Sequence, residues 1–237
     1  MNKVIIIASH KTTGADLPYP YYEMVRTDAY DLSINKHQVT SIDNLPGPTL
    51  PWSEYAQFFS SFPLSEEIEM YGLMQYRCAI NFESEATSDV FSNKVEFFKR
   101  QVSYMDEYYD RVVVSNRLNF DCSLWDQYLT WHRRNAPLLV QACGQFFDIT
   151  GNDAQRYLST ESSLYSRNIF LAPVDFAQRW HDVSLEIAKY LHATDNEHKT
   201  NDRWGGFILE RLFSAFVHYE TEYDVVEKPL IYFKDNY

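Results

Sequence analysis

The stretch VIIIA, Val4–Ala8, decides the fold class of this 237-residue sequence. It is an unbroken apolar run rich in β-branched residues, which is typical of a strand buried on both faces of a parallel sheet. The run ends at Ser9, and the polar residues His10 and Lys11 follow. Because ligands collect at the carboxyl ends of parallel strands, we expect a ligand site at Ser9, His10 and Lys11, with an ordinary surface loop as the alternative.

The rest of the chain alternates between predicted strands and predicted helices. Apolar runs predict the strands, and apolar residues at helical spacing predict the helices. The predicted strands are 69–74, 111–115, 167–172 and 230–233, and the predicted helices are 53–59, 94–105, 124–147 with a break near Pro137, 175–191 and 206–219. This alternation implies an α/β fold with a mainly parallel central sheet flanked by helices. We expect a single domain over residues 1–237.

Composition and charge exclude several classes of protein. A hydrophobic fraction of 45% and an aromatic fraction of 16% exclude a disordered chain. The net charge of −12, without a long basic run, argues against a nucleic-acid partner. The three cysteines are widely spaced and do not form a Cys-x-x-Cys pair, so neither a zinc site nor a disulfide framework is supported. Without a membrane-spanning apolar run or a cleavable leader, we expect a cytoplasmic protein with at most peripheral membrane contact.

Several catalytic chemistries lack their sequence motifs. The chain has no Gly-x-x-x-x-Gly-Lys-Ser/Thr loop and no Gly-x-Gly-x-x-Gly, which argues against common NTPase and dinucleotide sites. It also has no Gly-x-Ser-x-Gly nucleophile elbow and no His-Glu-x-x-His zinc motif. The chemistry therefore has to be sought in other residues.

Six segments, in chain order, resemble one known family. The two closest matches are NIFLAPVDF at 168–176, together with Trp180, and RWGGFILERL at 203–212. The looser matches are IASHK at 7–11, EYAQFF at 54–59, YGLMQYRC at 71–78 and WDQYLTWH at 125–132. The chain resembles the exopolysaccharide and capsular-polysaccharide biosynthesis proteins, which are regarded as glycosyltransferases. Gln75 stands where that family has a His, and Cys78 stands where it has a second Arg.

The resemblance implies a glycosyltransferase A-like fold and a role in bacterial surface-polysaccharide synthesis. The expected reaction moves a sugar from a nucleoside diphosphate, with a UDP-sugar as the expected donor, to a glycan or lipid-linked acceptor. No cofactor is expected, and Ser9, His10 and Lys11 are expected to contact the nucleotide. The alternative is a non-catalytic module that binds sugar nucleotides or glycans. The changes at Gln75 and Cys78 favour this alternative modestly, whereas the retained segment around Glu210 favours the enzyme.

Gln75 and Arg77 are predicted to bind the nucleotide sugar. They are two residues apart at the end of a predicted strand, so their side chains point the same way. Many metal-dependent glycosyltransferases carry an acidic Asp-x-Asp pair at this position, and this chain has none there. A guanidinium does not ligate a metal, but it binds a diphosphate with two parallel hydrogen bonds. We therefore predict no metal at this position, and the alternative role for Arg77 is an ion pair across the sheet.

Glu210 is the predicted catalytic base. It falls at the edge of the apolar stripe of helix 206–219, beside Gly206, which leaves room for a ligand. A carboxylate at an apolar margin has a raised pKa and can take the proton of an acceptor hydroxyl. Direct attack by that hydroxyl would invert the anomeric centre. Arg203 or Arg211 is expected to hold the carboxylate or the donor phosphate, and a structural ion pair is the alternative.

Three residues are predicted to contact the acceptor. Asn168 begins a predicted strand, where it either hydrogen-bonds a sugar hydroxyl or satisfies loop backbone. Asp121 lies in the polar loop after strand 111–115 and is also the second candidate base. His132 ends the segment 125–132 and is included because that segment resembles the family.

Overall fold

The computed structural model describes residues 2–9, 17–26, 32–34, 52, 54–62, 64–83, 94–194, 199 and 203–233. Within these ranges a nine-stranded sheet lies at the centre, and two further strands form a separate antiparallel pair. The sheet contains β1 (Asn2–Ser9), β2 (Tyr21–Arg26), β3 (Leu32–Ile34), β4 (Ile68–Gln75), β5 (Cys78–Ile80), β6 (Arg111–Ser115), β9 (Phe170–Pro173), β10 (Asp224–Lys228) and β11 (Leu230–Tyr232). The separate pair is β7 (Arg117–Asn119) and β8 (Ser163–Tyr165).

The sheet confirms the predicted fold class. Its main path has the order β10-β6-β9-β4-β1-β2-β3, with β5 and β11 beside it. β1 pairs in parallel with β2 and β4, and β10 pairs in parallel with β6. Only β9 and β3 run against the common direction of this path. The reversal of β9 brings its amino end to the same edge of the sheet as the carboxyl ends of β1, β4 and β6, and this edge is called the carboxyl edge below.

Strand β1 lies at the centre of the fold because its apolar side chains are buried on both faces of the sheet. Ile6 packs into one core, while Ile5 and Ile7 pack into a second core on the opposite face of the sheet. Gly72 in β4 allows neighbouring strands to approach closely. A Cβ at this position would lie 3.1 Å from both Cγ atoms of Ile5 and 3.3 Å from the carbonyl oxygen of Phe170. A side chain at this position would therefore require the neighbouring strands to shift by a few tenths of an ångström.

Helices cover both faces of the sheet. They are α1 (Tyr55–Ser60), α2 (Lys94–Val102), α3 (Leu124–His132), α4 (Ala136–Thr150), α5 (Ala154–Thr160), α6 (Val174–Ala193) and α7 (Trp204–Tyr219). The stripe predicted on helix 175–191 is buried on α6, with Phe176, Trp180 and Ile187 at its centre. Only α2 contributes to the core that holds Ile5, and the other helices pack on the opposite face. None of the helices in the described ranges is long and apolar enough to cross a bilayer.

Several elements of the structure differ from the sequence prediction. The predicted strand 167–172 begins only at Phe170, because Ser166–Asn168 forms a turn with Arg167 and Asn168 at positive φ. The break predicted near Pro137 in helix 124–147 is present as the short 3₁₀ turn Arg133–Asn135, which separates α3 from α4. Helix α5 and the strands β2, β3, β5, β7, β8 and β10 were not predicted. Four of these strands are three residues long and α5 has seven residues, so they carry little periodicity.

Candidate active site

A pocket of about 270 Å³, called the large pocket below, opens at the carboxyl edge. Its walls come from the turn before β9, the first half of α7, helix α3 and the β7–β8 pair. Its polar lining includes Glu54, Gln127, Asn168, Glu210 and Arg211. Its apolar lining includes Leu118, Phe120, Trp131 and Phe207.

A second pocket of about 60 Å³, called the small pocket below, adjoins the first. It lies at the ends of β1 and β4 and includes Ala8, Tyr76 and Arg77 in its lining. Both pockets share four residues, which are Glu54, Gln75, Arg167 and Arg203. The two pockets are therefore parts of one continuous site.

Glu210 lies at the margin of the buried face of α7, as predicted. Its side chain is 17% exposed and lines the large pocket. The backbone N–H of Arg167 donates to Oε1 over 2.6 Å, and Nη1 of Arg211 lies 3.5 Å from Oε2. Burial raises the pKa of this carboxyl group, although Arg211 and the Arg167 N–H oppose the increase. The geometry suits a proton acceptor, and its role as the base remains a prediction.

The two arginines proposed as partners of Glu210 take different places. Arg211 is buried beside Glu210, and its Nη1 and Nη2 donate to the Phe207 carbonyl and to Gln127 Oε1 over 2.8 Å and 2.6 Å. Arg203 is exposed at the start of α7, with Nη2 3.9 Å from Oε2 of Glu54. Arg211 therefore holds the predicted base, whereas Arg203 lies where the two pockets meet.

Glu54 is an acidic residue of the site that the sequence prediction missed. Its side chain is 7% exposed, and Oε1 accepts a 2.7 Å hydrogen bond from Nδ2 of Asn168. The Tyr55 hydroxyl donates to Oδ1 of Asn168 over 3.1 Å. A carboxylate only accepts hydrogen bonds, so this contact fixes the orientation of the Asn168 amide. Asn168 therefore positions Glu54, and its contact with an acceptor remains a prediction. In the sequence, the signal that could have identified Glu54 is the loose family resemblance of segment 54–59, which begins with this residue.

Gln75 and Arg77 both line the small pocket, as expected from their spacing. Nε2 of Gln75 donates to the carbonyl oxygen of Arg167 over 2.9 Å. Arg77 is exposed in the turn between β4 and β5, with its Cζ 5.0 Å from the centre of the Tyr76 ring. Ser9 ends β1 at the same edge, whereas His10 and Lys11 lie outside the described residues. Among the residues that are described, no three His, Cys, Asp or Glu side chains are grouped to hold a metal ion.

Of the two remaining predicted residues, His132 lines the site and Asp121 does not. His132 lines the large pocket and stacks on Phe207 with the ring centres 4.4 Å apart. Burial and the nearby Arg211 lower the pKa of His132 to about 4, so the ring is neutral at pH 7. Asp121 is exposed before α3 and does not line either pocket, although its neighbour Phe120 lines the large one.

The chain has the fold of a glycosyltransferase. The solved structure that shows this is the apo form of the bifunctional glycosyltransferase WbbM, with a TM-score of 0.71 and 15% sequence identity. The match covers 99% of this chain and 46% of that chain, so this chain spans less than half the length of the solved one. No family model matches the sequence, so the family resemblance of its segments has no support from such a model, and no curated protein matches it.

Proposed function

We propose that the chain is a glycosyltransferase and that residues 1–237 form one catalytic unit. It moves a sugar from a nucleoside diphosphate, with UDP as the expected nucleotide, to a glycan or lipid-linked acceptor in surface-polysaccharide synthesis. The observation that carries this proposal is the pair of joined pockets, one lined by guanidinium groups and the other by a largely buried carboxylate. The likeness in fold to a glycosyltransferase supports the same class of reaction.

The small pocket is the proposed diphosphate site. It lies at the carboxyl ends of β1 and β4, where α/β proteins bind nucleotides. Arg77 and Arg203 bring positive charge to it, and Gln75 adds an amide. When the bond between the sugar and the diphosphate breaks, negative charge accumulates on the leaving group. Guanidinium groups held in place before the reaction stabilise that charge.

The large pocket is the proposed acceptor site. Trp131 is 74% exposed at its rim, and an exposed aromatic ring offers an apolar face for a sugar to stack on. Gln127 and the neutral ring of His132 add hydrogen-bonding groups. Glu210 lies in the wall, where its carboxylate can take the proton of an acceptor hydroxyl. The hydroxyl oxygen then forms the new bond to the anomeric carbon as the nucleoside diphosphate leaves, which inverts the anomeric centre.

A turnover assay with nucleotide sugars and glycan acceptors tests the proposal. We expect release of a nucleoside diphosphate that depends on the acceptor, a product of inverted configuration by NMR, and the same rate with EDTA present. The EDTA result is expected because guanidinium groups occupy the place of an acidic metal site. Donor binding without turnover would support the non-catalytic module instead. Absence of binding to every nucleotide sugar would refute both functions.

Arg77→Ala should weaken the binding of UDP. The variant loses a charge-assisted hydrogen bond to the diphosphate, worth roughly 1.5–3 kcal/mol, or about 10- to 100-fold in affinity. Isothermal titration calorimetry measures the change. The matched control is Arg111→Ala, because Arg111 is also exposed but begins β6 and lies at the opposite edge of the sheet. Unchanged UDP affinity in a folded Arg77→Ala protein would reject the assignment.

A further inference from the structure

Two consecutive residues other than glycine adopt a left-handed backbone at the carboxyl edge. They are Arg167, with φ 73°, and Asn168, with φ 52°. This conformation is costly because Cβ crowds the carbonyl group, and Asn tolerates it better than Arg does. Such strain persists only where the surroundings enforce it, and it is concentrated at functional sites. Arg167 is the residue whose position needs explaining.

Three hydrogen bonds hold this turn from three directions. Gln75 at the end of β4 donates to the Arg167 carbonyl over 2.9 Å. The Arg167 N–H donates to Glu210 of α7 over 2.6 Å. The Asn168 side chain is bound to Glu54 over 2.7 Å. The Arg167 contacts use the backbone alone, so they fix the turn without requiring an arginine side chain.

The side chain of Arg167 completes a cationic lining of the small pocket. Arg77 reaches this pocket from the β4–β5 turn, Arg203 from the start of α7 and Arg167 from the turn before β9. The Arg167 side chain is exposed, with Cζ 5.9 Å from the centre of the Tyr232 ring. Three separate parts of a chain with a net charge of −12 thus bring guanidinium groups around about 60 Å³. Glu54 is the acidic residue in the same lining, so the positive charges are in excess.

We propose that Arg167 is a diphosphate-binding residue and that the left-handed turn places its guanidinium beside Arg77 and Arg203. The inference rests on the proposed function and adds a residue that the sequence prediction did not include. The ligand is the diphosphate of a nucleotide sugar, because a guanidinium fork binds two phosphate oxygens at once. The strained backbone is then what places a third cation in the site that binds the leaving group.

Arg167→Gly separates this role from a structural one. Glycine adopts positive φ without strain and keeps the backbone N–H and carbonyl that contact Glu210 and Gln75. We expect an unchanged or higher melting temperature together with roughly 10- to 100-fold weaker UDP binding, the effect of losing a charge-assisted contact. Inorganic pyrophosphate should lose affinity in parallel, because it carries the phosphates without the nucleoside. The UDP affinity of Arg167→Lys should fall between those of the wild-type protein and Arg167→Gly. Arg156→Ala, which removes an exposed arginine on α5, is the control for net charge.

The measurements are calorimetry with UDP, GDP, CDP, dTDP and pyrophosphate, and thermal unfolding of each variant. If Arg167→Gly binds a nucleoside diphosphate as tightly as the wild-type protein does, the inference is overturned and the proposed function stands. A variant that loses melting temperature along with affinity would also overturn it, because Arg167 would then support the fold. A wild-type protein that binds none of the nucleoside diphosphates would overturn the inference and the proposed function together.

Discussion

Glu210→Gln should lower turnover by roughly 10²–10⁴-fold and leave donor affinity nearly unchanged. The glutamine keeps the shape of the side chain, and its oxygen can still accept the hydrogen bond from the Arg167 N–H. It cannot take a proton at neutral pH, so the acceptor hydroxyl stays a poor nucleophile. Rates measured at saturating donor and acceptor, with the donor dissociation constant from calorimetry, separate the chemical step from binding.

The pH dependence of the same variant provides an independent check. Burial raises the pKa of Glu210, and the ionised carboxylate is the form that acts as the base. The wild-type rate should therefore fall as the pH decreases through this raised pKa. The residual activity of Glu210→Gln should lack that acidic limb, because no carboxylate is left at this position to titrate.

Glu220→Gln is the matched control. Glu220 follows the last residue of α7, its side chain is 18% exposed, and it pairs with Arg179 over 2.8 Å, outside both pockets. We expect this variant to spare turnover. If Glu210→Gln instead lowered the melting temperature and spared turnover, Glu210 would be structural. Glu54 would then replace Asp121 as the next candidate base, because Glu54 is buried and lines both pockets.

Asn168→Asp should lower the free energy of unfolding by about 3 kcal/mol at pH 7.5. The substitution changes the shape little but places a second carboxylate within hydrogen-bonding distance of Glu54. Two buried carboxylates at this distance cannot both ionise cheaply, so the pair takes up a proton with a raised pKa in the folded state. The folded protein then binds more protons than the unfolded chain near neutral pH, and its stability falls as the pH increases.

The loss of stability in Asn168→Asp depends on pH in a defined direction. The destabilisation is complete above the raised pKa of the folded pair and disappears as the pH falls below the unfolded value of about 4. Thermal unfolding at pH 7.5 and pH 4.5 should show a loss of about 6–12 °C at the higher pH and much less at the lower. Asn116→Asp, at an exposed position between β6 and β7, is the control. A loss of equal size at both pH values would show that Asn168 does not act on the Glu54 carboxylate.

The features that the sequence predicts well are those encoded in local periodicity. The β-branched run of β1 and the stripe of α6 are both confirmed, because burial on two faces or one face leaves a repeating pattern. The position of Glu210 on the margin of α7 follows from the same periodicity. Apolar pattern does not encode strand direction, so the reversal of β9 was not foreseen.

The parts of the site that were missed depend on contacts between distant segments. Glu54 meets Asn168 across 114 positions, and no spacing rule within one helix or strand contains that contact. The left-handed turn at Arg167 was also missed, because an arginine has no preference for positive φ and the strain is enforced by Gln75 and Glu210. His132 was included from the resemblance alone, and its stacking on Phe207 was not foreseen.

The backbone of Arg167 joins the two pockets in a way that affects how mutational data add up. Gln75, which lines both pockets, holds its carbonyl, and Glu210, which lines the large pocket, holds its N–H. A substitution that removes either hydrogen bond releases one end of the same backbone segment and so changes the environment of the other side chain. The free-energy changes of the two single variants are therefore not independent terms, and their sum does not give the effect of the double variant.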